Sequence, residues 1–369
     1  MILSSMRLTN SAETVRNTSG KRRHSAIELL RILAMCGVVI LHYNNKSVGG
    51  GFRYATGLNC TALVVLESPF ICAVNLYVLI SGYFLSATQK RSLNKPFELV
   101  AQVCAFGAGR YLLRCLMSGG WSVKALLLSI IPNNYFVVLY VTLYLISPYL
   151  NLMLQQLSKK QFRILTALLL FLFSLWPTLV DVFINITEKS LTGLSTINAF
   201  ASQRGYTIVQ FALMYILGAF IHREQENLKK IPAAVLLAGY VALMCACAGA
   251  STSNAWAYHN PLVILSACAA MLIALRWQFE SKLVNRLALS AFTCFLFHDL
   301  LLGYLGIQKA VTGSLPGLLI HVILSAVAVY LICYVVYFVW DLVTKPLFRF
   351  CAKYLSKADR FFTVTVEEK

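Results

Sequence analysis

The chain has 369 residues, of which 59% are hydrophobic, 12% aromatic and 12% charged; a soluble protein has roughly 25% charged residues. With a mean hydropathy of +0.70, this excludes a disordered chain, a nucleic-acid-binding tail protein and an ordinary cytosolic enzyme, because so much apolar surface needs lipid as its solvent. The formal net charge of +18 comes from 32 Lys and Arg against 14 Asp and Glu, but the charges sit in short clusters between apolar runs, as the positive-inside rule predicts, so no nucleic-acid partner is expected.

In chain order, residues 1–25 read as a mobile basic cytoplasmic arm ending in Lys21-Arg22-Arg23-His24, without the long apolar core of a signal peptide. Residues 26–344 read as one transmembrane domain. Its apolar segments of near-spanning length run over 26–43, 62–86, 97–117, 135–154, 163–180, 207–221, 231–250, 260–275, 287–305 and 317–341. Gly, Ser and Asn interrupt several of them, which membrane helices tolerate where neighbours satisfy the backbone. Residues 345–369 form a basic cytoplasmic tail on the membrane surface. The expected fold is therefore all-α and polytopic, with ten transmembrane helices and both termini in the cytoplasm.

Charge counting tests this map. With the N-terminus inside, 24 of the 32 positive residues fall on the inner side, 6 on the outer side, and Arg110 and Arg114 stay within the third segment. A wrong segment count would scramble that alternation. The longest outer loop, 181–206, carries Asn185-Ile186-Thr187, a glycosylation-acceptor pattern that is common by chance. The 11 cysteines form no framework; most lie inside apolar runs and read as small packing residues. No metal-ligand cluster is present, and no metal is expected.

The first segment is the informative one: Glu28-Leu-Leu-Arg31-Ile-Leu-Ala-Met-Cys-Gly-Val-Val-Ile-Leu-His42. The helical repeat brings Arg31 and His42 to within about 20° of one face, with a rise of about 16 Å between them. Glu28 precedes Arg31 by one turn and is placed to pair with it. One stripe of a membrane helix thus carries an ion pair near the cytoplasm and an imidazole towards the outer leaflet, and ionisable groups inside a span default to function. The plainer alternatives are a snorkelling arginine anchor and an interfacial or packed histidine.

These residues, within ELLRILAMCGVVILHY, resemble the Arg-x10-His motif of the acyltransferase-3 family of integral membrane acyltransferases. VNLYVLISGYF (74–84) is similar to the family's second-segment signature. NNYFVVLYVTLYLISPYLN (133–151) is similar to its aromatic stretch, and LSAFTCFLFHD (289–299) to its late segment ending near a histidine. The resemblance covers all ten segments in order. It implies transfer of an acyl group, usually acetyl, from cytoplasmic acyl-CoA across the bilayer to a hydroxyl on an extracytoplasmic glycan. Arg31, helped by Glu28, would hold the CoA phosphates, and His42 would act as general base or acyl carrier. Where the family often carries paired arginines in the inner loop after segment two, this chain has Lys90-Arg91 and Lys95.

Further candidates are looser. Arg110 and Arg114 lie a turn apart on one face of segment three, in its outer half; either the map is shifted there or these arginines touch the acceptor, and two arginines on one intramembrane face point to function rather than packing. Glu67, with Asn75 two turns below, lines the acceptor cleft or is an interfacial carboxylate. Ser81-Gly82-Tyr83 reads as a helix break shaping CoA access, with close helix packing as the alternative. Tyr140 and Tyr144 suit packing or an aromatic belt. The adjacent His298 and Asp299 face different sides of their helix, and His321 is expected to be structural. Gly49-Gly50-Gly51 follows no strand and is no dinucleotide loop. The expected function is that of a plasma-membrane O-acetyltransferase with acetyl-CoA as donor, a carbohydrate acceptor and the bilayer as partners. Its rivals are a multispan transporter or flippase of a glycan or small anion, although no inverted repeat is visible, and a sensor or scaffold without chemistry.

Overall fold

The computed structural model describes residues 23–189, 192–195, 205–250 and 256–362. Most of the basic arm, part of the 181–206 loop and the last seven residues lie outside them. The described residues contain helices and turns, and no strand. Six helical stretches are long and apolar enough to cross a membrane: Ser25–Asn44, Gly57–Leu85, Asn94–Ser118, Tyr135–Gln156, Lys159–Thr187 and Leu315–Leu355. Shorter apolar helices follow at Ile208–Arg223, Ala233–Gly249 and Pro261–Ala274, with Ala291–Leu302 completing the set. Every apolar segment read from the sequence is occupied by one of these helices.

Helix α1 (Ser25–Asn44) runs through the middle of the bundle, burying Ile27, Ala34, Met35, Val38 and Val39. Glu28 sits in its first turn and His42 in its last, so the acid meets the positive end of the helix dipole. The next crossing is broken. Helix α2 (Gly57–Glu67) gives way to a 3-10 turn at Ser68–Phe70 before α3 (Ala73–Leu85) resumes. Pro69 supplies the physical cause, since it has no amide hydrogen to continue the ladder. The break therefore falls at the Glu67 end, and the one expected at Ser81-Gly82-Tyr83 is absent: α3 continues to Leu85. Gly82 serves close packing instead. A Cβ there would collide with the Tyr215 carbonyl of α9 (Ile208–Arg223), and a Cβ on Gly218 would collide with the Leu79 carbonyl. Two backbones approach because both positions lack side chains.

Helices α4 (Asn94–Ser118) and α5 (Val123–Ile130) lead into α6 (Tyr135–Gln156), which accommodates Pro148 internally. The next crossing starts from a Ser158–Gln161 capping box as α7 (Lys159–Leu170). It passes through a π-helical turn at Phe171–Leu175 and ends as α8 (Trp176–Thr187). This corrects the loop expected to open at 181. The helix persists because Val182, Phe183 and Ile184 continue the apolar run, so Asn185-Ile186-Thr187 closes a helix. Helices α10 (Ala233–Gly249), α11 (Pro261–Ala274) and α12 (Ala291–Leu302) follow, α11 and α12 burying half of their residues and α10 only Leu236 and Cys247.

The last helix, α13 (Leu315–Leu355), has 41 residues and a length of roughly 60 Å, about twice the hydrocarbon core. Residue 345, where the tail was expected to begin, lies inside it. Its exposed Leu324, Leu331, Val335, Phe338 and Val339 form a face that only lipid would cover. Cross-bridges fix direction. Tyr43 of α1 bonds His321 at 2.8 Å, while Tyr330 bonds the Leu287 carbonyl at 3.1 Å, next to the Asn285 that Ser25 contacts at 3.1 Å. Helices α1 and α13 are thus antiparallel, and the start of α1 shares one end of the bundle with the late part of α13.

Candidate active site

A cavity of about 700 Å³ opens at the end of the bundle where α1 finishes. His42 lies on its wall, with Glu67 from the broken second crossing, Arg110 and Arg114 from α4, and His298 and Asp299 from α12. Chain segments separated by more than 250 residues therefore meet at one place. The ionisable lining residues besides the histidines are two arginines and two carboxylates.

His42 Nδ1 and His298 Nε2 are 2.6 Å apart, with ring centroids 4.7 Å apart and an interplanar angle of 34°. His298 is 3% exposed, and its Nδ1 lies 2.8 Å from the Cys294 carbonyl one turn earlier. Asp299 accepts from Arg110 Nη2 at 2.8 Å, and Arg110 Nη1 reaches the Leu296 carbonyl at 3.4 Å. His298 and Asp299 point in different directions, to His42 and to Arg110 respectively, yet both line the cavity. Successive helical positions differ by only about 100°, and a wide cavity receives both. Glu67 is buried and accepts from Asn44 Nδ2 at 2.7 Å; the same amide group donates to the Leu63 carbonyl at 3.2 Å. The far wall is aromatic. Tyr135 and Tyr206 have centroids 4.6 Å apart, and Tyr206 and Tyr258 have centroids 4.8 Å apart. These rings, with Trp256, Asn133 and Asn134, present apolar faces and polar edges to the same space.

The other sequence candidates lie outside the cavity lining. Arg31 pairs with Glu28 at 3.0 Å near the opposite end of α1, with Arg23 3.9 Å from the same carboxylate. Its backbone carbonyl accepts from Tyr77 at 2.7 Å, which ties α1 to α3 at that level. Asn75 donates to the Tyr258 carbonyl at 2.8 Å and accepts from Gln210 at 3.3 Å, so it holds the segment that carries an aromatic wall residue. Ser81 donates to the Tyr77 carbonyl at 2.9 Å and lies 3.3 Å from the Tyr140 hydroxyl. Tyr83 donates to Gln225 at 3.1 Å. Among the described residues, no group of three or more His, Cys, Asp or Glu side chains is arranged to hold a metal.

Arg91, named from the sequence only as a basic residue of the loop after the second segment, is central to the Arg31 end of the bundle. Arg91 is 3% exposed and donates to Ser147 Oγ at 2.8 Å, the Leu85 carbonyl at 3.1 Å, the Thr88 carbonyl at 3.0 Å and the Tyr215 hydroxyl at 3.2 Å. Its charge is matched by carbonyls at the C-terminal end of α3, the negative end of that helix. Burial of an arginine in a basic loop has no signature in a single sequence.

Comparison with curated proteins and with solved structures found no match. The family model of the acyltransferase domain of the acyltransferase-3 family matches residues 24–338. That stretch begins one residue before α1, contains both halves of the histidine pair, and runs through the apolar part of α13. The chain belongs to the acyltransferase-3 family and is a multi-pass membrane acyltransferase.

Proposed function

We propose that this enzyme transfers an acetyl group from cytoplasmic acetyl-CoA to a hydroxyl of an extracytoplasmic glycan in the plasma membrane. The observation that carries the reading is the placement of His42 on the wall of a large cavity at the far end of the stripe that begins with Arg31. CoA is anionic and does not cross lipid. Its phosphates would rest near Arg31, whose guanidinium is oriented by Glu28, and the pantetheine arm would span the roughly 16 Å to His42. The cavity's mixture of tyrosines, asparagines, Arg110, Arg114 and Glu67 offers the ring faces and hydrogen-bonding groups that a sugar requires.

In this reading the acceptor hydroxyl gives its proton to the free nitrogen of His42 as its oxygen attacks the thioester carbonyl. The C–S bond breaks, and the leaving thiolate takes the proton back from the imidazolium to give CoA. A positioned general base contributes roughly 10²–10⁴ in rate. In proteoliposomes supplied with labelled acetyl-CoA, His42→Ala is expected to lose that factor while retaining donor binding, and His42→Gln to be nearly as poor. Wild-type transfer by either variant would remove His42 from the chemistry, and a wild type that carries glycan across the bilayer without moving label would favour transport.

A further inference from the structure

We infer that His298 is a positioning residue which fixes the tautomer of His42, so that the cavity-facing nitrogen of His42 is the basic one. The inference rests on the acyl-transfer reading for its consequence, but its core is a proton inventory that holds independently.

A carbonyl oxygen only accepts hydrogen bonds. At 2.8 Å from the Cys294 carbonyl, His298 Nδ1 must therefore carry a hydrogen. A neutral imidazole has one such hydrogen, so His298 Nε2 presents a lone pair. The atom 2.6 Å from that lone pair is His42 Nδ1, which must then be the donor. With its hydrogen on Nδ1, a neutral His42 has an unprotonated Nε2, and this is the nitrogen left for a substrate in the cavity that His42 lines. Both ring nitrogens of His298 are spent on a carbonyl and on His42, so no carboxylate bonds the ring to hold it as an imidazolium, which would reverse the direction of the His42 bond. The backbone of α12 thus sets the tautomer of His298, and the pair passes it to His42, whose ring also has the Val38 carbonyl of α1 as a backbone partner.

The contrast with His321 sharpens the point. Its Nε2 lies 3.0 Å from the Leu305 carbonyl and its Nδ1 2.8 Å from the Tyr43 hydroxyl. The same inventory leaves His321 with both nitrogens occupied and nothing to offer a substrate. In the His42–His298 arrangement, these two bonds engage three of the four nitrogens, and the Val38 carbonyl of α1 is a further backbone partner of the His42 ring.

When His42 takes the acceptor proton on Nε2, its Nδ1–H continues to donate to His298, which disperses part of the charge without moving a heavy atom. His298 touches no substrate atom in this scheme and acts through His42. An orienting partner of this kind matters because an imidazole in the wrong tautomer points N–H at the hydroxyl it should deprotonate.

The test uses the full-length protein in lipid nanodiscs with ¹⁵N-labelled histidine. There are six histidines, and the His42 signals are assigned by their loss in His42→Gln. Wild type is expected to show His42 protonated at Nδ1 and bare at Nε2, and His298→Phe to show it relaxed to the Nε2–H form. In the same samples, kcat should fall by roughly 10²–10⁴ in His298→Phe, with KM for acetyl-CoA within about twofold. His298→Gln, whose side-chain oxygen can accept from His42, should recover at least tenfold of that loss. Wild-type His42 found protonated at Nε2, or His298→Phe turning over at the wild-type rate, would overturn the inference. Should His298→Phe fail to fold, the wild-type spectrum and His298→Gln still decide. Nδ1–H on His42 in a wild type that transfers no acyl group would instead sink the acyl-transfer reading and leave the tautomer assignment standing.

Discussion

At the scale of single residues, exposure decides what each charge is worth. The Arg110 and Asp299 side chains are 40% and 35% exposed, and pairs in that regime contribute about 0.2–1 kcal/mol to stability. Their importance therefore lies in the field they place on the cavity. Asp299→Asn is expected to leave the melting temperature of the purified enzyme within a few degrees while raising KM for the acceptor. An Arg110→Asp, Asp299→Arg exchange should restore the pair without restoring that KM. A melting shift as large as the kinetic loss would make the pair structural. Arg91 is the opposite case. It is buried and holds six polar groups from α3, the loop that follows it, α6 and α9, so removing it strands carbonyls and hydroxyls away from water. Arg91→Ala is expected to cost about 3 kcal/mol or more, seen as early thermal unfolding and poor membrane accumulation. Arg91→Lys should recover only part, because a point donor cannot replace the guanidinium fork.

At the scale of elements, the α3–α9 contact and the cap of the α7 crossing are the informative joints. Gly82 and Gly218 admit the facing backbone, so Gly82→Leu has no flexible side chain to push aside and must separate the helices. Overpacking of this kind costs about 1–3 kcal/mol. The loss should appear as a lower melting temperature, whereas Gly239→Leu, in open space on α10, should be silent. At the foot of α7, Glu224 accepts from Arg163 at 2.6 Å and from Asn227 at 2.7 Å. These bonds hold the Glu224 carboxyl below the usual carboxylate range. A depressed folded-state value means the stabilisation is fully present above the unfolded-state pKa of about 4.3 and is lost as pH falls through the folded value. Glu224→Gln should therefore match wild type in strongly acidic buffer and fall behind it near neutrality. A constant gap across that range would mean that the proton plays no part.

At the scale of the molecule, the antiparallel α1 and α13 place the Arg31 and Arg91 end of the bundle on one side and the His42 cavity on the other. The acetyl-transfer reading requires the first side to be cytoplasmic. Single cysteines introduced at positions 90 and 190, in a background without the native cysteines, should label from the cytoplasm and from outside respectively. Labelling of position 190 only from the cytoplasm would invert the map and move donor and acceptor to the wrong sides. The four shorter helices belong to this scale as well. They fit a bilayer because their neighbours bury and satisfy the irregular backbone around them, a condition met only in the assembled bundle.

The sequence by itself determined the solvent, the helical class and the one helix that carries both Arg31 and His42. Apolar segments and the placement of lysine and arginine are local quantities dictated by transfer free energy and charge. The Arg31–His42 stripe was legible because both residues lie on one helix, whose repeat converts spacing into direction. The tertiary structure alone decided where the second crossing breaks, that Gly82 serves packing, and that Arg91 is buried. It also decided which imidazole faces which. His298 reaches His42 across 256 residues of chain, and its carbonyl partner is set by the turn of a different helix. No spacing rule encodes such a distance. It follows from the crossing of α1 and α12, which is fixed by the packing of the entire bundle.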